Sequence, residues 1–344
     1  MNEQKLEIKL SFITGLKDIV LDEISKQVNF QVLREYGDSL YLSYVEDLSI
    51  IKRLRSVARA YVIVHDPKYN PLYIFNHKSI LGSLVKTVID NKGQDTFKTF
   101  KVTCAGSDSK EVNDINRYLN NTYDLIEKEE ADIKIHIIKL EDIWEVGVQI
   151  TSKPLSVRDY KIKNMRGAMD PTIAYAVNSL CGLDKANSYL NVFSGSATLL
   201  IEAAQCYSKL ETLVGFDNNK KHISLAIQNI KKAGLIKKIQ LKEIDIFDKP
   251  NTGKFDAITS DLPFGMSISK NEDLGKLYRQ FVEYCQDVLT PYGNMVVYTS
   301  EYEIFGKALL GSEFRIIKQL ELRFITSVNA YLRPKIFVCE LRQN

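Results

Sequence analysis

Apolar positions in the first 150 residues switch between a two-residue and a helical period. The segment LEIKLSF (6–12) alternates as a strand with one buried face does, and Leu16, Ile19, Val20 and Ile24 then recur at helical spacing. FQVLREY and SLYLSYV read as two strands turning at Gly37-Asp38, IIKRLRSVA as a helix, and AYVIVHD as a further strand. A helix YIFNHKSILGSLVKTVID ends near the polar breaker Asn91-Lys92-Gly93. It is followed by a strand TFKVTCA, a loop GSDS, a helix EVNDINRYLNNTYDLI, and the strands IKIHIIKL and WEVGVQI. Such alternation without a phosphate-binding glycine loop predicts an α+β region.

Residues 151–187 hold Pro154, Pro171 and many charges before a helix TIAYAVNSL, and read as a linker into a second domain. From Ser188 the alternation becomes regular. YLNVF leads to a helix through Leu200 and Ala204, TLVGF to a helix from Lys220 to Lys232, and IQLKEID and DAITSD precede a helix from Asp273 to Leu289 and the strand NMVVYTS. This βαβα series predicts an α/β fold with a parallel, doubly wound, Rossmann-like sheet. FRIIKQLELRF and KIFVCEL add an antiparallel pair at one edge.

Composition narrows the class. With 344 residues, 46 Lys+Arg against 43 Asp+Glu and 45% apolar positions, the chain reads as a globular protein of about two domains, able to bury a core without disulfide or metal staples. Cys104, Cys181, Cys206, Cys285 and Cys339 are scattered, which speaks against structural zinc; no metal is expected. No stretch approaches the roughly 18 uncharged residues of a membrane span, and Met1 to Lys9 lacks the apolar run of a signal peptide. The expectation is a cytoplasmic protein with reduced thiols. A net charge of +3 is too small to establish a nucleic-acid partner. The lysines at 231, 232, 237, 238 and 242 read as a solvated helix end.

In a doubly wound sheet, ligands sit beyond the carboxyl ends of the strands. The first strand runs into Asn191-Val-Phe193-Ser194-Gly195-Ser196-Ala-Thr198, where Gly195 lets backbone N–H groups approach a ligand. A pyrophosphate calls for more glycines; S-adenosylmethionine carries no phosphate and tolerates a poorer turn. The second ends at Asp217-Asn218, about 20 residues beyond the glycine, the separation at which a carboxylate accepts ribose hydroxyls, although an N-cap is as ready an explanation. The third ends at Asp245-Ile246, an acceptor for an adenine amine beside an aliphatic cover, or simply an acidic loop.

The fourth strand carries Asp261-Leu262-Pro263-Phe264-Gly265. The exocyclic amine of a nucleobase is a poor nucleophile because its lone pair is delocalised. Methylating it requires an acceptor for the N–H and a flat surface that fixes the base in line with the donor. Asp261 and the carbonyl of Leu262 or Pro263 suit the first task, and Phe264 the second.

These residues resemble the THUMP-domain RNA methyltransferases that modify N2 of guanine. Asp261 to Gly265 is similar to the family's (Asp/Asn)-(Pro/x)-Pro-(Tyr/Phe) signature, with Leu262 in the variable place. NVFSGSATLLIEAA resembles its first cofactor motif, Asp-Pro-x-Cys-Gly-Ser-Gly-Thr-x-x-Ile-Glu-Ala-Ala, with Asn191 for aspartate, Ser194 for cysteine and Ala197 for the second glycine. Arg158-Asp-Tyr160 and Gly167-Ala-Met-Asp-Pro-Thr172-Ile-Ala174 resemble the stretch that leads in and closes over the cofactor. Thr14-Gly15-Leu16-Lys17-Asp18 resembles the opening of the family's ferredoxin-like domain, and Leu54-Arg55-Ser-Val-Ala-Arg59 the segment ahead of THUMP.

The resemblance implies a ferredoxin-like domain (1–65), a THUMP RNA-binding domain (66–150), a linker and helix (151–187) and an S-adenosylmethionine-dependent methyltransferase domain (188–344). It implies transfer of a methyl group to guanine N2 in tRNA, the THUMP module holding the 3′ end and the catalytic domain reaching the acceptor stem. The donor would be held by Thr172, Asn191, Phe193, Ser194, Gly195, Ser196, Asp217, Asn218, Asp245, Ile246 and Asp261. Lys98, Lys101, Lys110 and Arg117 are the residues expected against RNA phosphate, a monomer is expected, and a small activating subunit stays open. The alternatives are a methyltransferase for ribosomal RNA guanine N2 or adenine N6, and a non-catalytic RNA-binding protein whose donor site has decayed at Asn191 and Ala197. A nicotinamide dehydrogenase fits least, for want of a triple-glycine turn and a hydride-relay histidine.

Overall fold

The computed structural model describes residues 5–66, 74–93, 95–104, 109–140, 143–264, 274–327 and 330–342. The chain forms two compact units, Met1–Phe12 with Val20–Ser156, and Ile13–Ile19 with Val157–Asn344.

The first unit runs β1 (Glu7–Ser11), α1 (Lys17–Ser25), β2 (Val32–Glu35), β3 (Ser39–Ser43), α2 (Leu48–Lys52), β4 (Arg59–Asp66), α3 (Ile74–Asp90), β5 (Thr99–Cys104), α4 (Lys110–Tyr123), β6 (Ile126–Glu127), β7 (Ile133–Leu140) and β8 (Ile143–Gln149). One eight-stranded sheet, in the order β2-β3-β1-β4-β8-β7-β5-β6, takes up every strand. The strand alternation buries Ile8 and Leu10 of β1, β4 buries Val62, Ile63 and Val64 in a continuous run, and the helical spacing buries Leu16, Ile19, Val20 and Ile24. Two helices stop earlier than their periodicity predicts. α2 ends at Lys52 rather than running to Ala58, because the Arg55 and Ser56 N–H groups donate to the buried Glu23 carboxylate at 2.7 and 2.9 Å instead of to a preceding helical turn. α4 ends at Tyr123 because Asp124 takes a left-handed conformation, φ 53°.

The second unit runs α5 (Pro171–Leu180), β9 (Ser188–Val192), α6 (Thr198–Cys206), β10 (Thr212–Asp217), α7 (Lys220–Lys232), β11 (Ile239–Glu243), a 3₁₀ turn (Ile246–Asp248), β12 (Phe255–Asp261), α8 (Leu274–Val288), β13 (Leu289–Thr299), α9 (Tyr302–Leu309), β14 (Phe314–Glu321), β15 (Phe324–Ser327), β16 (Ala330–Leu332) and β17 (Lys335–Leu341). Its seven-stranded sheet has the order β11-β10-β9-β12-β13-β17-β14. β11, β10, β9, β12 and β13 pair in parallel, and β17 and β14 add the antiparallel edge. This is the doubly wound α/β fold, with its switch point between β9 and β12. The β15–β16 hairpin has no counterpart in the sequence reading, which ran β14 on through Phe324.

The core follows from the runs that form these elements. Leu190, Val192, Val214, Phe216 and Ile258 of the strands meet Tyr278, Phe281, Val282 and Cys285 of α8. Each such side chain, removed from water, contributes about 1.5–3 kcal/mol. α6 is buried almost all round, as its apolar sequence requires. Among the described residues no helix is long and apolar enough to cross a membrane, and no group of His, Cys, Asp and Glu has the arrangement to hold a metal ion.

Candidate active site

Four strand ends of the second unit open into one cavity of about 630 Å³. Its walls are Phe193, Ser194, Gly195 and Ser196 after β9, Asp217 and Asn218 at β10, Asp245 and Ile246 after β11, and Asp261, Leu262, Pro263 and Phe264 at the end of β12. The volume lies in the ordinary range for a small-molecule site. Gly265, the last residue of the acidic-aromatic signature, lies outside the described residues.

The turn after β9 is held in an unusual backbone. Phe193, Gly195 and Ala197 all have positive φ, at 58°, 51° and 65°. Only glycine takes this region freely; an L side chain there costs about 1–2 kcal/mol. The turn is tied to the next strand: Ser194 N–H donates to the Phe216 carbonyl at 2.7 Å and Gly195 N–H to Asp217 Oδ2 at 2.9 Å.

Asp217 is therefore an organiser of the site as well as a wall of it. Its Oδ1 accepts from Asn219 N–H at 2.9 Å and lies 3.1 Å from His222 Nδ1. Asn219, not Asp217, caps α7, accepting from Lys221 N–H. Asp245 caps the 3₁₀ turn through Phe247 N–H at 3.0 Å and takes a hydrogen bond from the Asn218 amide at 3.2 Å.

Asp261 differs from the other two carboxylates. Its Oδ1 is buried without a partner among the described residues. Burial pushes the carboxyl up to about 7, with the ammonium of Lys161 pulling in the opposite direction. Ser194 Oγ is likewise buried without a partner. Leu262 N–H donates to the Tyr298 carbonyl at 3.0 Å, and the Pro263 carbonyl accepts from Tyr278 OH at 2.9 Å, so the corner is fixed on both sides of the proline.

Two residues named from the sequence do not line the cavity. Asn191 is buried within β9, where its amide donates to the Thr259 carbonyl of β12 at 3.1 Å. Thr172 is buried in the first turn of α5, with its N–H and hydroxyl on Asp170 Oδ1 at 2.8 and 2.6 Å. The sequence reading did not assign Met165, Arg166, His222, Phe247, Lys276 and Leu277 to the site, and these also line the cavity. The segment bearing Met165 and Arg166 is fastened by the pattern quoted at 158–160: Arg158 Nε and Tyr160 OH meet the fully buried Glu202 carboxylate at 3.1 and 2.7 Å. Asn229 of α7 holds the same segment through both the N–H and the carbonyl of Lys163, at 2.9 and 3.0 Å.

In the first unit, Lys98 and Lys101 belong to the β5 region and Lys110 and Arg117 to α4. Lys101 pairs with Glu129, and Arg117 with Asp114 at 3.2 Å, so each of these two cations has a carboxylate beside it.

Comparison with known proteins adds to this geometry. Residues 158–327 match the UPF0020 family, described as an RMKL-like methyltransferase domain. The U6 snRNA (guanine-N(2))-methyltransferase THUMPD2 of Bos taurus is 32% identical over 167 residues, 48% of this chain and 32% of its own length. The tRNA (guanine(6)-N2)-methyltransferase of Thermus thermophilus is 28% identical over 165 residues, 48% of this chain and 49% of its own length. The matched region thus spans at most about half of these relatives. The crystal structure of TrmN from Thermus thermophilus superposes with a TM-score of 0.75 at 20% identity, covering 98% of this chain and 99% of that one, which establishes the fold along the chain.

Proposed function

We propose, from the match of residues 158–327 to the UPF0020 methyltransferase-domain model, that this protein transfers a methyl group from S-adenosylmethionine to the exocyclic N2 of a guanine in tRNA, in the acceptor stem. The observation that carries the reading is Asp261: an acceptor without a partner among the described residues, at the wall of an open cavity, beside a proline-fixed aromatic corner. A crevice plugged by the protein's own side chains would count against this reading; this one leaves about 630 Å³ of space.

The residues fit the proposed donor. The β9 turn presents backbone rather than bulk, Asp217 and Asp245 offer carboxylate oxygens toward the cavity, and Phe216 and Ile246 supply apolar walls for a purine. When bound, S-adenosylmethionine supplies a methyl group on a positively charged sulfur. Among the described residues Asp217 has three partners, which leaves one of its four lone-pair positions for a ribose hydroxyl. Asp261, when ionised, accepts the amine N–H, concentrates the nitrogen lone pair as the C–N bond forms, and stands ready for the proton released. Phe264 stacks on the base. A paired guanine cannot reach this corner, so it must be turned out of its helix at a cost of a few kcal/mol, offset by stacking and phosphate contacts.

In the same reading, residues 1–65 form a ferredoxin-like module and residues 66–150 a THUMP module that holds the tRNA 3′ end, with Lys98, Lys101, Lys110 and Arg117 toward phosphate, in a cytoplasmic monomer. The two relatives named above act, by their names, on guanine N2 of U6 snRNA and of tRNA. The test is incubation with unmodified tRNA and labelled donor, followed by digestion to nucleosides. The expected product is N2-methylguanosine; N6-methyladenosine, or label found only with ribosomal RNA, would overturn the substrate.

A further inference from the structure

Strands β15 and β16 form a hairpin outside the main sheet, inserted between β14 and β17. The sheet register locates its root. Asp261 pairs with Tyr298, Tyr298 with Ile336, and Ile336 with Leu320. The hairpin therefore leaves the sheet at the end where Asp261 stands, two to three strands away, or roughly 10–14 Å at the usual spacing between strands.

One face of this arm has a distinctive content. Ile325 lies opposite Tyr331 in the register, and alternation puts Arg323 and Arg333 on the same face. Ile325 is 80% exposed, Tyr331 is exposed, and the Arg323 guanidinium lies 3.8 Å from the centre of the Tyr331 ring. From Leu322 to Lys335 the chain carries three cations and no carboxylate. Arg333 lies 3.9 Å from Glu321, at the root.

The arm is also braced. An isolated hairpin is marginal in water, but Leu322 is fully buried and its N–H donates to the Pro334 carbonyl at 2.9 Å. Arg323 N–H donates to the Thr14 carbonyl at 3.1 Å. Gly15, φ +103°, lies so close that a Cβ would come within 2.2 Å of the Glu321 carbonyl oxygen. The Thr14-Gly15 motif thus supports the root of the arm.

We infer that the β15–β16 hairpin is an RNA-gripping arm beside the catalytic corner: Arg323 and Arg333 take phosphates next to the target nucleotide, and Ile325 with Tyr331 packs into the gap that the extruded base leaves. The inference rests on the reading of RNA as the substrate. Its chemistry is that of single-strand and distorted-helix recognition, where cations track phosphates, planar side chains stack on bases, and aliphatic wedges enter opened steps.

The test uses the full chain, a fluorescently labelled unmodified tRNA transcript and a salt series. Arg323→Ala with Arg333→Ala should raise Kd about 10-fold and flatten the plot of log K against log salt by about 1.4–1.8, the share of two phosphates. Ile325→Ser should leave Kd within about two-fold and lower kcat on the transcript about 10-fold, with S-adenosylhomocysteine affinity and melting temperature as in the parent. Parent-like salt slope and turnover in all variants would overturn the inference and point the arm toward a protein partner. If the parent binds the transcript without methylating it, the proposed function fails while the salt slope still decides the arm; if the parent binds no RNA, both fall.

Discussion

Three aspartates follow three strands of the same sheet, yet only one is left to react. Asp217 and Asp245 are occupied by backbone N–H groups, whereas Asp261 has a buried oxygen with no partner among the described residues, and burial raises its carboxyl to about 7. If ionised Asp261 accepts the amine hydrogen, kcat/KM rises with pH through about 7 and then levels. A pH–kcat/KM profile showing no limb near that value would remove it from this role. The linkage has the opposite sign for stability: a raised folded pKa favours the protonated state, so the contribution of Asp261 is present at low pH and lost as pH climbs through 7. Asp261→Asn should therefore abolish transfer yet raise thermal stability at pH 8 by about 1–3 kcal/mol, measured by denaturation at pH 5 and 8. Ala197 carries a different kind of strain. It holds φ 65° at the start of α6 with no side-chain cap, so Ala197→Gly should stabilise the protein by up to about 1 kcal/mol in a chemical melt. At this scale the acids were legible because each stands at or just after the end of a strand. Asn191 and Thr172 misled because proximity in sequence does not say which way a side chain turns: the first faces the neighbouring strand and the second folds back on Asp170.

The segment before the parallel sheet illustrates how elements acquire their places. Arg158 and Tyr160 converge on Glu202 of α6, a carboxylate with no exposure, and this junction anchors the stretch that brings Met165 and Arg166 to the cavity. Removing one partner of a buried pair leaves the other charge without compensation, at about 3–5 kcal/mol. Glu202→Ala should lower stability by about that amount and weaken S-adenosylhomocysteine binding, whereas Asp261→Asn should leave that binding within a few-fold; calorimetry on both separates the anchor from the reacting corner. Helix α7 was legible to its end residues, since its capping asparagine and terminal lysines are local signals. The early stop of α2 and the β15–β16 hairpin were not. The first depends on Glu23, about thirty residues upstream, and the second interrupts what reads as one continuous run from Phe314.

For the whole molecule, the parallel order of the second sheet follows from regular βα alternation, because crossover handedness leaves few arrangements. The eight-stranded sheet of the first unit had no such local rule. β4 pairs with β8, roughly eighty residues later, and across that pairing a charged cluster is assembled: Glu145, fully buried, faces His65 Nε2 at 3.0 Å, His136 Nε2 at 2.7 Å and Lys9 Nζ at 2.6 Å. Burial works against protonation of His65, but its hydrogen bonds to Glu145 and Glu7 more than offset this, and its pKa is raised. A raised folded pKa means stabilisation that is complete below about 6.5 and lost as pH rises through the folded value. In native hydrogen exchange, raising pH from 6 to 9, after correction for intrinsic exchange rates, should lower protection in β4, β7 and β8, and His65→Gln should remove that dependence. S-adenosylhomocysteine at 100 times its Kd should instead add up to about 2.7 kcal/mol of protection, concentrated in the turns after β9, β10, β11 and β12. Ligand-induced protection spread evenly over both sheets, or absent from those four turns, would contradict a donor site built from the strand ends of the second unit alone.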